Sequence, residues 1–293
     1  MHRKPGDFQI ETVGVIGAGT MGAGIAQVCA MAGYVTYLRD NQEALDRAFE
    51  RIRASLRTGL ERGKITQEQR DAGLGNLFPA RDILEAVRDA DLVIEAVPED
   101  LTIKTELFGR LSRKALPDAI LATNTSSLSV TRIAAATGRA DRVVGLHFFN
   151  PAHIMRLVEV VRAEQTSDAT VSAAVEFVRS LAKEPIVVTD SPGFASSRLG
   201  IVLGLEAARM VEQGVATPHD IDRAMELGYN HPMGPLKLGD LVGLDVRLGI
   251  ADYLHATLGG DQYLAPDLLR RMVAEGKLGK KSGEGFYVWP DET

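Results

Sequence analysis

One histidine and one glutamate are the first candidates for catalysis, because each lies at an apolar stretch that is predicted to form a buried strand. His147 follows the apolar run 143–146, and Glu159 lies within the run 157–161. The segment 148–156 between them is too short for the crossover connection that two parallel strands need. We therefore expect an antiparallel pair that brings Glu159 close to His147.

A histidine that is oriented by a carboxylate, with its second ring nitrogen available, is suited to general acid and base catalysis. The same two residues also fit a histidine that is satisfied inside the core and a glutamate at the solvent-facing edge of a strand. The other elements of the chain provide the context for choosing between these interpretations.

A glycine-rich turn near the N-terminus predicts a dinucleotide site. Gly17, Gly19 and Gly22 stand between a β-branched run at 12–16 and a helix-favouring segment at 23–32. The first glycine permits a tight turn, the second lets the backbone approach a pyrophosphate, and the third lets the helix pack closely on the sheet. A glycine-rich turn without a ligand is the alternative. The turn residues expected to contact the dinucleotide are Gly17, Ala18, Gly19, Thr20, Met21 and Gly22.

Asp40 indicates which dinucleotide is bound. It ends the next predicted strand, 21 residues after Gly19. A carboxylate at this place accepts hydrogen bonds from the adenine ribose and repels a 2′-phosphate, so the sequence favours NAD over NADP. The neighbouring Arg39 would partly offset that repulsion.

Strands and helices alternate along residues 12–188, and only helical patterns follow. Alternation of this kind predicts an α/β fold with a Rossmann-type, doubly wound sheet that is mostly parallel, with the 157–161 strand reversed. We expect an NAD-binding domain at 1–189 and an all-helical C-terminal domain at 190–293.

The C-terminal domain is predicted to have four helices. They cover residues 197–211, 218–227, 240–258 and 266–275. Their apolar faces exceed what a bundle of about a hundred residues buries easily, so we expect this domain to form a homodimer and to contribute to the substrate site.

Polar residues follow two of the predicted strands. Glu99 comes after the strand 91–97, and Ser126 comes after the strand 119–123. Ligands bind at the carboxyl ends of such strands, so these side chains suit hydrogen bonds to a ribose, a nicotinamide amide or a substrate oxygen. The run 124–127 also fits the N-cap of a helix that begins at residue 128.

The helical segment 42–64 carries six basic and four acidic residues in a chain of net charge −6. A basic face on an acidic protein is suited to an anionic ligand, and a solvated helix surface is the alternative.

The composition excludes several classes of function. Net charge −6 over 293 residues argues against a nucleic-acid surface. The single Cys29 leaves no internal disulfide and fits a cytoplasmic location. Residues 1–9 do not have the pattern of a signal peptide, and no apolar run has membrane-spanning length. We expect no metal site.

Several longer motifs together resemble the 3-hydroxyacyl-CoA dehydrogenase family, and most of all its short bacterial 3-hydroxybutyryl-CoA dehydrogenases. The resemblance extends from Val13 to Tyr287. Its motifs are Gly-Ala-Gly-Thr-Met-Gly at 17–22, Asn-Thr-Ser-Ser-Leu at 124–128, Leu-His-Phe-Phe-Asn-Pro at 146–151, Leu-Val-Glu-Val at 157–160, Ser-Pro-Gly-Phe at 191–194, His-Pro-Met-Gly-Pro at 231–235 and Gly-Lys-Lys-Ser-Gly-Glu-Gly-Phe-Tyr at 279–287.

The resemblance implies NAD-dependent oxidation of an (S)-3-hydroxyacyl-CoA thioester, of short chain, to the 3-ketoacyl-CoA, and the reverse reaction. It implies that His147 is the base, that Glu159 orients it, and that Ser126 binds the substrate 3-oxygen. Residues implied to contact NAD outside the glycine turn are Asp40, Glu99, Lys104, Ser126, Asn150 and Lys281. Residues implied to contact the acyl-CoA are Ser55, Arg62, Ser126 and Ser197.

One position departs from the family pattern. Members of the family carry Asn-Arg after the Pro-Gly-Phe motif, and this chain has Ser197 before Arg198. The serine replaces an asparagine that contacts the substrate, so chain-length preference or rate is expected to differ.

Two other functions remain open. A dehydrogenase of the same fold could act on a free hydroxy acid or sugar acid. The basic residues of segment 42–64 distinguish this alternative from a CoA enzyme, because only a CoA enzyme should lose affinity for its thioester when they are removed. A non-enzymatic NAD-binding protein is the second alternative, against which His147 and Glu159 argue.

Overall fold

The computed structural model describes residues 9–290. Residues 1–9 were expected not to form a signal peptide. All of them except residue 9 lie outside the described residues. The chain divides into two compact units, Met1–Ser191 and Pro192–Thr293.

The first unit contains one sheet of eight strands in the order β3-β2-β1-β4-β5-β6-β7-β8. The strands are β1 (Thr12–Ile16), β2 (Val35–Arg39), β3 (Leu77–Ala80), β4 (Leu92–Glu95), β5 (Ile120–Thr123), β6 (Val143–Phe148), β7 (Leu157–Arg162) and β8 (Glu184–Thr189). The central strands are buried and mostly apolar, as expected for parallel strands that are covered on both faces, and β4 and β5 each end on a polar residue.

The strand order reverses between β1 and β4. From β1 the chain first builds outward through β2 and β3, and it then returns to add β4, β5 and β6 in parallel on the other side. A crevice for a ligand forms at such a switch point, at the carboxyl ends of the strands. The predicted Rossmann-type sheet is confirmed, and its switch point adjoins the glycine turn.

The direction of the sheet changes once, between β6 and β7, which pair antiparallel as predicted. β8 runs parallel to β7. β7 and β8 thus run antiparallel to the other six strands, whereas the sequence predicted only one reversed strand. The reason is the helix α7 (Asp168–Ser180), which connects β7 to β8 as a crossover and so makes them parallel neighbours.

The other helices of the first unit pack around this sheet. They are α1 (Thr20–Met31), α2 (Gln42–Glu61), α3 (Gln67–Gly75), α4 (Ile83–Val87), α5 (Leu101–Lys114) and α6 (Val130–Ala135). Side-chain caps define most of their starts, including Asn41 for α2 and Asp100 for α5. No element was predicted from the sequence for residues 65–90, where the structure has α3, β3 and α4.

The second unit is helical, as predicted, with α8 (Ser196–Glu212), α9 (Pro218–Gly228), α10 (Pro235–Val242), α11 (Leu244–Leu258) and α12 (Asp267–Ala274). The single helix expected over 240–258 is wrong. Gly243 has φ +107° and separates α10 from α11. A positive φ is open to glycine at little cost and breaks a right-handed helix, so the described part of this unit has five α-helices rather than four.

Each unit has a hydrophobic core of its own. In the first unit, buried side chains of the sheet pack against α1, α2 and α7. In the second unit, Ile201 and Leu205 of α8 pack with Leu244 and Leu254 of α11. Among residues 9–290, no helix combines the length and the apolar character that crossing a membrane requires.

Candidate active site

The antiparallel pair β6–β7 brings His147 and Glu159 together. They are direct partners in the register, and 2.7 Å separates Nδ1 of His147 from Oε2 of Glu159. His147 is 6% exposed and Glu159 is fully buried. An ionised carboxylate only accepts hydrogen bonds, so it fixes the proton of the neutral ring on Nδ1 and leaves Nε2 as the basic nitrogen.

Gly145 allows the two strands to approach closely. It pairs with Val161, and a Cβ atom at Gly145 would lie 2.6 Å from the Cβ of that valine. A larger residue would push β7 away two positions before His147. The glycine inside an otherwise apolar strand thus belongs to the geometry that joins the two side chains.

The glycine turn follows β1 and is shaped to receive a dinucleotide. Gly17 has φ +105°, and a Cβ atom at Gly22 would lie 1.7 Å from the carbonyl oxygen of Gly17. A Cβ atom at Gly19 would meet nothing within 4 Å, so space is open beside this residue. Within the described part of the chain, no side chain caps α1 at Gly19, and the N–H groups at such a helix start are suited to bind a pyrophosphate.

Asp40 holds this turn from the end of β2. One carboxylate oxygen accepts a hydrogen bond from the backbone N–H of Ala18 at 2.7 Å, and the other accepts one from Asn41 at 2.7 Å. Each oxygen of a carboxylate accepts two hydrogen bonds, so Asp40 retains capacity for ribose hydroxyls.

Glu99 organises the loop that carries Ser126. Its Oε1 accepts hydrogen bonds from the hydroxyl of Thr125 at 2.6 Å, from the backbone N–H of Ser126 at 2.8 Å and from the hydroxyl of Ser126 at 3.1 Å. The alternative of an N-cap within 124–127 is wrong, because α6 begins at Val130 and Ser129 is its cap. The loop of Ser126 is held by a carboxylate and not by a helix start.

Lys104 lies in a buried ion pair. Its ammonium is 2.6 Å from Oε1 of Glu95 and 3.4 Å from Oε2 of Glu99, and its side chain is 1% exposed. Glu95 also accepts a hydrogen bond from the hydroxyl of Thr123 at 2.7 Å. The lysine therefore links the ends of β4 and β5 to Glu99, and its contact with NAD stays a prediction.

Asn150 lies in the exposed loop that follows β6. The ammonium of Lys183 secures this loop by donating hydrogen bonds to the carbonyl oxygens of Ala152 at 2.6 Å and Met155 at 2.7 Å. Burial lowers the pKa of Lys183, since a low-dielectric surrounding disfavours its charged form. At the end of β5, Asn124 accepts a hydrogen bond from the backbone N–H of Phe148 at 2.9 Å and ties the start of the same loop to the sheet.

Besides Ser126, the predicted acyl-CoA residues of the first unit are Ser55 in α2 and Arg62 at its C-terminal end. The hydroxyl of Ser55 accepts a hydrogen bond from the amide of Gln27 in α1 at 3.1 Å, and Arg62 is the C-cap residue of α2. In the second unit, Ser197 lies in the first turn of α8, and Lys281 forms an ion pair with Asp245 at 2.6 Å. Their contacts with ligands stay predictions.

Both units of the chain match domains of one enzyme family. Residues 12–191 match the NAD-binding domain of 3-hydroxyacyl-CoA dehydrogenase, and residues 193–289 match the C-terminal domain of the same family. The chain belongs to the 3-hydroxyacyl-CoA dehydrogenase family. This membership confirms the resemblance, the NAD cofactor and the class of NAD-dependent dehydrogenase that the sequence predicted.

Three relatives show how far this similarity extends. A probable 3-hydroxybutyryl-CoA dehydrogenase of Deinococcus radiodurans is 47% identical over 277 residues, which cover 94% of this chain and 99% of the relative. A probable 3-hydroxybutyryl-CoA dehydrogenase of Bacillus subtilis is 44% identical over 287 residues, which cover 98% of this chain and 100% of the relative. The crystal structure of (S)-3-hydroxybutyryl-CoA dehydrogenase from Ralstonia eutropha has a TM-score of 0.92 and 39% identity, and the match covers 97% of this chain and 100% of that one.

Two residues near the dehydrogenase site were missed in the sequence analysis. Glu95 is the last residue of the apolar strand β4, four residues before Glu99. A charged side chain that is buried at the end of a strand needs a partner of opposite charge, and this signal was present in the sequence. Arg51 lies in the basic segment and reaches the glycine turn. Only its place in that segment pointed to it.

Proposed function

We propose that this chain interconverts (S)-3-hydroxybutyryl-CoA and acetoacetyl-CoA with NAD, and that His147 and Glu159 act as its general acid and base. The observation that carries this proposal is the 2.7 Å contact between the two side chains in a chain of this dehydrogenase family. The relatives that are called 3-hydroxybutyryl-CoA dehydrogenases support the short-chain thioester as substrate.

In this proposal His147 removes the proton of the 3-hydroxyl group during oxidation. Nδ1 is engaged by Glu159, so the proton passes to Nε2 and the ring becomes an imidazolium. The buried carboxylate keeps the ring in position and stabilises its positive charge. NAD, when bound, supplies the acceptor for the hydride that leaves C3. The products are the 3-ketoacyl-CoA and NADH, and the proton on His147 is released to solvent.

Ser126 is proposed to bind the 3-oxygen of the substrate. Glu99 holds the loop through the hydroxyl of Thr125 and the backbone N–H of Ser126, so the serine is positioned before the substrate arrives. The hydroxyl of Ser126 has one proton, which it donates to Glu99 at 3.1 Å in this structure, and it would turn that proton to the substrate 3-oxygen on binding. Asn150 and Lys281 are proposed to contact the cofactor, and Ser55, Arg62 and Ser197 the acyl-CoA.

An assay of NADH oxidation across a panel of ketones tests the substrate. The panel contains acetoacetyl-CoA, longer 3-ketoacyl-CoA thioesters, and acetoacetate as the free acid. We expect kcat/KM to be largest for acetoacetyl-CoA, and to fall for the free acid by at least about 10²-fold, since the binding energy of the CoA part is lost. Equal kcat/KM for acetoacetate and its thioester would instead support a dehydrogenase of free hydroxy acids. No turnover of any compound would support a binding protein.

Replacement of Asp40 by alanine is expected to narrow the preference for NAD over NADP. The change removes the charge that repels a 2′-phosphate and the hydrogen bond by which Asp40 holds Ala18 of the glycine turn. We expect kcat/KM with NAD to fall by about tenfold. The ratio of kcat/KM with NAD to kcat/KM with NADP should fall by more than this factor. Steady-state kinetics with both cofactors measure this, with the exposed Asp46→Ala as control. Equal kcat/KM for the two cofactors in the unchanged enzyme would show that Arg39 overrides Asp40.

Replacement of Ser197 by asparagine is expected to change the order in which acyl-CoA chain lengths are preferred. Asparagine restores the residue that the family pattern has at this position, where the resemblance implies a contact with the acyl-CoA. The dissociation constant for NAD should stay within about twofold. Kinetics over a series from four to twelve acyl carbons would measure the change. If the order of preference is unchanged, Ser197 does not contact the substrate.

The second unit is proposed to form a homodimer. It exposes large apolar side chains on several helices, among them Leu199 on α8, Leu241 on α10 and Val246 on α11. Sedimentation velocity of the full chain should give twice the mass of one chain. Val246→Glu should weaken the dimer, whereas Ile103→Glu, which alters an exposed apolar residue of the first unit, should not. A full-length protein that sediments as a monomer would exclude this assembly.

The cytoplasmic location of the protein stays a prediction.

A further inference from the structure

Arg51 extends from α2 to the glycine turn. Its Nη2 donates a hydrogen bond to the carbonyl oxygen of Ala18 at 3.0 Å, and its Nη1 lies 3.4 Å from the hydroxyl of Thr20. Asp40 accepts the hydrogen bond of the Ala18 N–H from the other side. The residue between the first two glycines is thus held at its N–H by a carboxylate and at its carbonyl by a guanidinium.

The charge of Arg51 is available for a ligand. Among residues 9–290, both of its hydrogen bonds go to uncharged oxygens. One turn earlier on the same helix, Arg47 pairs instead with Glu43. A guanidinium has five N–H donors, so Arg51 keeps donors beyond those that the turn engages.

The position of this charge matches the anionic part of the cofactor. The N–H groups at the start of α1 are suited to a pyrophosphate, and Thr20, which Arg51 contacts, is the first residue of that helix. Arginine binds phosphate oxygens more strongly than neutral donors do, because the hydrogen bonds are assisted by charge.

We propose that Arg51 is a cofactor-binding residue that adds positive charge to the pyrophosphate site of NAD. This inference rests on the NAD site of the family and not on the identity of the thioester.

Calorimetric titrations with NAD, ADP and adenosine, in the absence of any thioester, test the proposal. For Arg51→Met we expect the dissociation constants of NAD and ADP to rise by about tenfold or more, since a charge-assisted hydrogen bond is lost. The dissociation constant of adenosine, which carries no phosphate, should change less than twofold. Arg51→Lys should recover part of the ADP affinity. Arg57→Met, an exposed arginine of the same helix, is the matched control and should change none of them.

Three outcomes would overturn the proposal. Equal losses for ADP and adenosine would mean that Arg51 only holds the shape of the turn. Unchanged ADP affinity would mean that its charge does not reach the pyrophosphate. A higher KM for the thioester with unchanged NAD affinity would assign the residue to the substrate. If Arg51→Met does not fold, Arg51→Gln gives the test, because its amide can still donate a hydrogen bond to the turn but carries no charge, and the same loss of ADP affinity without loss of adenosine affinity is expected.

Discussion

His147→Gln is expected to lower kcat for oxidation of (S)-3-hydroxybutyryl-CoA by about 10³-fold to 10⁴-fold. The amide of glutamine cannot take the proton of the 3-hydroxyl, and general acid and base catalysis contributes up to about 10⁴ to a rate. Glutamine is close to histidine in size and can still hydrogen-bond to Glu159. The fold should therefore remain, and stopped-flow measurement of NADH formation would give the loss in the chemical step.

The cofactor site provides the control for this variant. The glycine turn and Asp40 lie at the ends of β1 and β2, away from the β6–β7 pair that holds His147. The dissociation constant for NAD should therefore stay within about twofold of that of the unchanged enzyme, a change that lies within the scatter expected for independent sites. A variant that retains more than a tenth of the activity would show that another group removes the proton.

Glu159→Gln is expected to lower kcat by about 10²-fold or more, which corresponds to about 2.7 kcal/mol of transition-state stabilisation. The amide can still accept a hydrogen bond from Nδ1, but it has no charge to stabilise the imidazolium that forms. It can also turn its NH₂ group toward the ring and favour the wrong tautomer. Both effects act on the chemical step, so kcat should fall more than the affinity for NAD.

Glu164→Gln is the matched control for this variant. It removes one carboxylate charge just beyond the end of β7, at a residue that is exposed. If the effect of Glu159→Gln came only from net charge, the two variants would lose similar activity. We expect Glu164→Gln to keep at least about half of the rate, as surface substitutions usually do.

The parts of the site that the sequence predicted depend on short-range patterns. The connection between β6 and β7 is too short for a crossover, and that alone required the antiparallel pair. The glycine turn was recognised because a β-branched run precedes it and a helix follows. In both cases the residues that determine the geometry lie within about twenty positions of each other.

The parts that the sequence did not predict depend on contacts between distant elements. The pair of Lys104 with Glu95 is formed at the end of β4 by a helix that folds back on the strand. The start of α6 at Val130 follows from the engagement of Thr125 and Ser126 by Glu99, which leaves Ser129 as the cap. Local secondary-structure propensity predicts neither the contact of Lys104 with Glu95 nor the contacts of Glu99 with Thr125 and Ser126.

Two errors in the fold have local causes that the sequence did contain. β3 has only four residues, one of them Pro79, and such a strand gives no pattern of alternation or β-branching. Gly243 interrupts an apolar run that otherwise has the composition of one long helix. A glycine in such a run is compatible with either a continuous or a broken helix, and its positive φ in the structure decides for the break.

A double-mutant cycle of His147→Gln and Glu159→Gln, read as kcat for oxidation of (S)-3-hydroxybutyryl-CoA, tests the coupling of His147 to Glu159 most directly. If the carboxylate acts only through the ring, its loss should matter little once His147 is replaced, so kcat of the double variant should lie within about threefold of that of His147→Gln alone. If the losses of the two single variants multiply in the double variant, the two residues act independently, and the account of His147 and Glu159 as one catalytic unit is contradicted.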